Sequence, residues 1–67
     1  MNTAKDILTF IIKEKSRGNT FQELNTQMRI MMKGINVKGI LEEKIPDDSA
    51  MIEKLKEIAK EFEVELI

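Results

Sequence analysis

Three breakers, Gly18, Gly34 and Pro46, divide the chain into four segments, and within each segment apolar residues recur three or four positions apart. That spacing puts them on one side of a helix, and the breakers keep each helix short. A chain so divided is expected to fold as a small set of helices packed on one another. The expectation is an all-α, three- to four-helix single domain spanning 1–67, with long helices over about 3–17, 20–34 and 48–63 and a short one over about 37–45.

In the first segment Thr3 can cap a helix and Gly18 can end it. Ala4, Ile7, Leu8, Ile11 and Ile12 share a face, and Phe10 widens the apolar arc to about 200°. An arc that wide asks for neighbours on two sides, so this helix is expected at the centre with the second and fourth covering it. In the second segment Thr20 and Glu23 have the spacing of a capping box. Phe21, Leu24, Met28, Met31, Met32 and Ile35 then form a stripe about 100° wide, read as the face turned to the core. Ile30 lies opposite that stripe and is expected to be exposed.

Asn36 can cap a short third helix bearing Val37, Ile40, Leu41 and Ile45, although Gly39 weakens it. After Pro46, Asp47, Asp48 and Ser49 are successive candidates to cap the fourth helix. There Met51, Ile52, Leu55, Ile58, Ala59 and Phe62 fall within about 120° of one another, opposite Lys54, Glu57, Lys60 and Glu61. The tail Phe62-Glu63-Val64-Glu65-Leu66 also alternates as a strand would. The expectation is a frayed helix end, and the alternative is an α+β variant in which 62–67 pairs with 35–41.

The chain has no His, Cys, Trp or Tyr. That removes thiolate nucleophiles, serine–histidine relays and zinc sites built from nitrogen and sulfur ligands. The glycines make no phosphate-binding loop, and the acidic pairs Glu42-Glu43 and Asp47-Asp48 lack calcium-loop spacing. No catalytic, metal or cofactor residues are therefore assigned, no small-molecule substrate is indicated, and an enzyme is not expected. Neither a membrane-spanning run nor a signal peptide is legible, so a cytoplasmic chain is the working expectation.

With 11 Lys+Arg against 12 Asp+Glu the net charge is −1, yet the halves differ. Residues 1–40 hold Lys5, Lys13, Lys15, Arg17, Arg29, Lys33 and Lys38 against Asp6, Glu14 and Glu23, a net of +4. Residues 41–67 hold four lysines against nine carboxylates, a net of −5. Either the halves attract each other within one molecule, or Lys13, Lys15, Arg17, Arg29, Lys33 and Lys38 offer a basic surface to an acidic partner.

Thr20-Phe21-Gln22-Glu23-Leu24, following a first helix, resembles the start of the second helix in phage-repressor-type helix-turn-helix domains. The resemblance covers five residues and implies a nucleic-acid-binding regulator that uses the basic N-terminal part. The sequence departs from that pattern where 25–33 runs on without a turn. It departs again in the would-be recognition helix, which presents Glu42 and Glu43 to the phosphates.

A chain of 67 residues buries only about 60% of its unfolded surface, so its core is marginal and a partner would help it. Thioether side chains such as Met28, Met31 and Met32 adapt to irregular partners. The leading expectation is a protein–protein interaction module, an adaptor or regulator that self-associates, with Phe10, Ile30, Met31 and Met32 as contact residues. The partner is then another protein or a second copy of the chain, with no membrane role; nucleic acid is the alternative.

Overall fold

The structure, a computed structural model, describes residues 3–66. Four helices follow in order: α1 (Ala4–Ser16), α2 (Thr20–Met32), α3 (Val37–Leu41) and α4 (Ser49–Glu61). No strand occurs among the described residues, so the α+β variant is set aside. The third helix stops four residues short of the expected 45, and residues 42–45 turn away from it instead.

α1 lies at the centre and packs against each of the other three, as its wide apolar arc requires. Ala4, Ile7, Leu8, Ile11 and Ile12 are all buried, while Phe10 is half-buried at the edge. α4 contributes Leu55, Ile58 and Ala59, α3 contributes Val37 and Ile40, and Phe62 and Val64 follow from the tail. The Cα radius of gyration is 10.8 Å, close to the roughly 10.9 Å expected for a compact chain of this length.

The caps follow local chemistry, with two departures from the sequence reading. The Thr3 hydroxyl accepts from the Asp6 amide at 3.1 Å, and Asn36 Oδ1 accepts from the Gly39 amide at 3.0 Å. α2 is capped one residue earlier than its capping box implied: Asn19 Oδ1 accepts from the Gln22 amide at 3.1 Å, and Thr20 is already helical. Asp48 caps α4 through the Ala50 amide at 2.8 Å. Its neighbour Asp47 reaches across the fold, where its Oδ1 accepts from the Ala4 amide at 3.0 Å. The start of α1 is thus tied to the loop before α4, 43 residues away in the chain.

The tail is neither frayed helix nor strand. Phe62 caps α4, Glu63 turns left-handed at φ 58°, and the Val64 amide donates back to the Ala59 carbonyl at 2.8 Å. This is a Schellman closure, and it folds Val64 onto the core beside Ala59. α3 ends the same way, with Glu43 at φ 58° and the Lys44 amide on the Gly39 carbonyl at 2.9 Å. Gly39 gives these side chains room: a Cβ there would stand 2.5 Å from Ile45 Cδ1 and 2.9 Å from the capping Asn36 Nδ2, so both side-chain ends would have to shift.

The largest departure is the rotation of α2 about its own axis. Its buried residues are Thr26 and Ile30, with Glu23 and Gln27 half-buried, so the face at positions 23, 26, 27 and 30 meets the core. Of the expected core stripe, Phe21, Leu24, Met28, Met31 and Met32 point to solvent and only Ile35, beyond the helix, is buried; Ile30, expected outside, is at 0% exposure. Helical periodicity fixes which residues share a face but not which face a neighbour takes. Here the connections decide. Arg17 (φ 48°) and Gly18 (φ 83°) both turn left-handed before α2, and Gly34 (φ 92°) does so after it, where the chain drops Ile35 and Val37 into the core.

Candidate interaction surface

The rotation of α2 leaves an apolar face uncovered. Phe21, Leu24, Met28, Met31 and Met32 are each more than half exposed, from 54% at Met31 to 85% at Met32. At about 200 Å² for a fully exposed large apolar side chain, these exposures amount to roughly 650 Å², above the ~300–600 Å² of a typical monomer's largest apolar patch. The whole surface, 4784 Å², likewise exceeds the roughly 4,400 Å² that scaling gives for 7.8 kDa.

The face has a regular layout. Positions 21, 24, 28 and 31 follow steps of three, four and three, the spacing of a helix–helix seam. The residues bordering the seam, Thr20, Asn25 and Gln27, carry no charge, and Met32 completes the border. α2 is 13 residues, about 20 Å long, and is already held in shape by the core beneath it. A partner helix would therefore meet a formed backbone, and only the exposed side chains would have to be ordered on this side.

The residues expected to make contacts are distributed differently. Met31 and Met32 lie on the exposed face, Ile30 belongs to the core, and Phe10 belongs to another feature. Phe10 borders an open groove of about 710 Å³ between the end of α1 and the tail, together with Lys15, Arg17, Phe62, Glu63 and Glu65. Phe21, Leu24 and Met28, which the sequence pattern assigns to the core, lie on this exposed face as well. A hint was available in the sequence: the stripe is rich in methionine and poor in branched side chains, unlike the isoleucine-rich face of α1.

Four of the basic residues, Lys15, Arg17, Arg29 and Lys33, line two grooves that share Phe62, with carboxylates standing among them. Arg29 stacks on the Phe62 ring, 4.4 Å from its centroid. Lys33 pairs with Glu61. Lys15 and Arg17 share their groove with Glu63 and Glu65, and Lys38 is exposed on the short α3. Lys13, in the last turn of α1, is exposed as well. Lys5 approaches Glu43 at 3.8 Å. Lys5–Glu43 and Lys33–Glu61 both join the basic half to the acidic half, and as exposed pairs each contributes at most about 1 kcal/mol.

Among the described residues no helix is long and apolar enough to cross a membrane, and no group of three or more His, Cys, Asp or Glu could hold a metal ion. Comparison of the chain with protein-family models, with curated proteins and with solved structures finds no match.

Proposed function

We propose that this chain is a protein–protein interaction module that works by self-association, the exposed face of α2 packing against the same face of a second copy. The observation that carries the reading is that Phe21, Leu24, Met28 and Met31 face solvent at seam spacing while Ile30 holds α2 to the core.

Three features favour a second copy over an unrelated partner. The seam is bordered by uncharged residues, so identical copies meet without like charges opposed. The area is also sufficient: roughly 500 Å² from the four seam residues of each copy gives about 1,000 Å² in all, about the minimum for a specific interface. Finally, the spacing is self-complementary when the two helices run antiparallel. Phe21 then packs on Met31 of the other copy and Leu24 on its Met28, and each layer is repeated by the two-fold symmetry.

The role is one of binding, and the basic groups contribute to folding and to orienting an approach. Sedimentation equilibrium over a wide concentration range tests it. The expected result is a monomer–dimer equilibrium with a Kd on the order of 1–100 μM, lost in Leu24→Asp while the circular dichroism spectrum is unchanged. A chain that stays monomeric at millimolar concentration would refute the reading.

A further inference from the structure

We propose that the thioethers of Met28 and Met31 are a modification site, and that their oxidation to the sulfoxide by a peroxide releases the α2–α2 contact. This rests on the self-association reading above and adds its regulation.

The argument begins with what the chain lacks. Without Cys, Trp, Tyr or His, methionine sulfur is the group in this protein most readily oxidised by a two-electron oxidant. Of the five methionines, Met1 lies outside the described residues and Met51 is half-buried against the core. The other three, Met28, Met31 and Met32, stand at i, i+3 and i+4 on one helix, all more than half exposed. Exposed thioether is thus concentrated on the face that would dimerise.

Position on that face separates the three. Met28 and Met31 occupy the seam, whereas Met32 borders it. In the reaction the sulfur lone pair attacks one peroxide oxygen and the O–O bond breaks. The sulfur keeps that oxygen as sulfoxide, oxidised by two electrons, and the peroxide is reduced, leaving as water once its protons are redistributed. A sulfoxide at 28 or 31 brings a strong dipole into a seam whose own side chains, Phe21, Leu24, Met28 and Met31, carry no hydrogen-bond donor, so burying it opposes pairing. A sulfoxide at 32 can stay hydrated at the rim. None of the three sulfurs belongs to the core, so the modification disables the contact while leaving the fold intact.

The test treats the full chain with hydrogen peroxide at a dilution where monomer predominates, maps the added oxygen by mass spectrometry, and then measures association and circular dichroism. The expected result is one oxygen at each of Met28, Met31 and Met32, an unchanged helical spectrum, and a dimer Kd raised about tenfold or more. Methionine sulfoxide reductases of both stereospecificities should restore the original Kd. The double variant Met28→Leu, Met31→Leu should dimerise and keep its Kd after peroxide, although Met32 is oxidised. An oxidised wild-type chain that pairs as tightly as before would overturn the proposal, as would a double variant that peroxide weakens equally. The untreated sample reads the prior question separately: a monomer there refutes self-association itself, whereas a dimer unaffected by oxidation refutes only its regulation.

Discussion

Ile30→Ala and Leu24→Ala truncate two aliphatic side chains on the same helix, and the packing assigns them opposite consequences. Ile30 has 0% exposure. Removing three of its carbons forfeits about 2.4 kcal/mol of transfer free energy at ~0.8 kcal/mol each. A residual cavity of about 50 Å³ adds about 1.2 kcal/mol, and the better helix propensity of alanine returns about 0.4 kcal/mol. The expected loss is about 3 kcal/mol, a third or more of the roughly 3–10 kcal/mol typical for a chain of 67 residues. Leu24 is 58% exposed, so the same truncation there forfeits less than about 1 kcal/mol. Urea unfolding followed by circular dichroism separates the two, because an m-value near 1 kcal/mol/M converts the Ile30 loss into a midpoint lower by about 3 M. The measurement belongs at a concentration well below the dimer Kd, where association adds nothing to stability. Ile30→Val, expected to cost about 1 kcal/mol, supplies a folded comparison. If Leu24→Ala costs 2 kcal/mol or more and Ile30→Ala less than 1, α2 packs through its methionine stripe, and the assigned rotation is wrong.

Other substitutions test the joints of the fold. Asp47→Ala removes the acceptor for the Ala4 amide and should cost about 0.5–2 kcal/mol, with faster hydrogen exchange at that amide; Asp47→Asn, which keeps an oxygen there, should cost less. Glu63→Gly relieves a left-handed residue at φ 58° and should stabilise by about 0.5–1 kcal/mol, visible as a thermal midpoint several degrees higher. Arg29→Ala removes the cation over the Phe62 ring and should cost about 0.5–1 kcal/mol in urea unfolding.

Most of the architecture is legible in the sequence because it depends on local signals. The isoleucine-rich arc of α1 places it at the centre, and the Pro46–Asp48 punctuation starts α4. What escaped is what local signals do not encode. The rotation of α2 is set by left-handed residues on either side of it and by Ile35 beyond it, so its apolar stripe was assigned to the wrong side. Asp47 looks like a cap for the helix that follows, yet it serves the helix that opens the chain. The closure after α4 uses Glu63 where a glycine would have announced it. The exposed apolar face of α2 is legible only in part: Met31 and Met32 are expected as contact residues, but the periodicity assigns Phe21, Leu24 and Met28 to a core that their helix does not turn toward.

The seam itself is tested most directly by isotope-filtered nuclear Overhauser measurements on a mixture of ¹³C-labelled and unlabelled chain at a concentration where the dimer predominates. Antiparallel pairing predicts intermolecular contacts between the Phe21 ring and the Met31 methyl group, and between the Leu24 and Met28 methyl groups. Intermolecular contacts confined to other residues, such as Phe10 and the tail, would contradict it, as would a dimer whose α2 methyl groups see only their own chain.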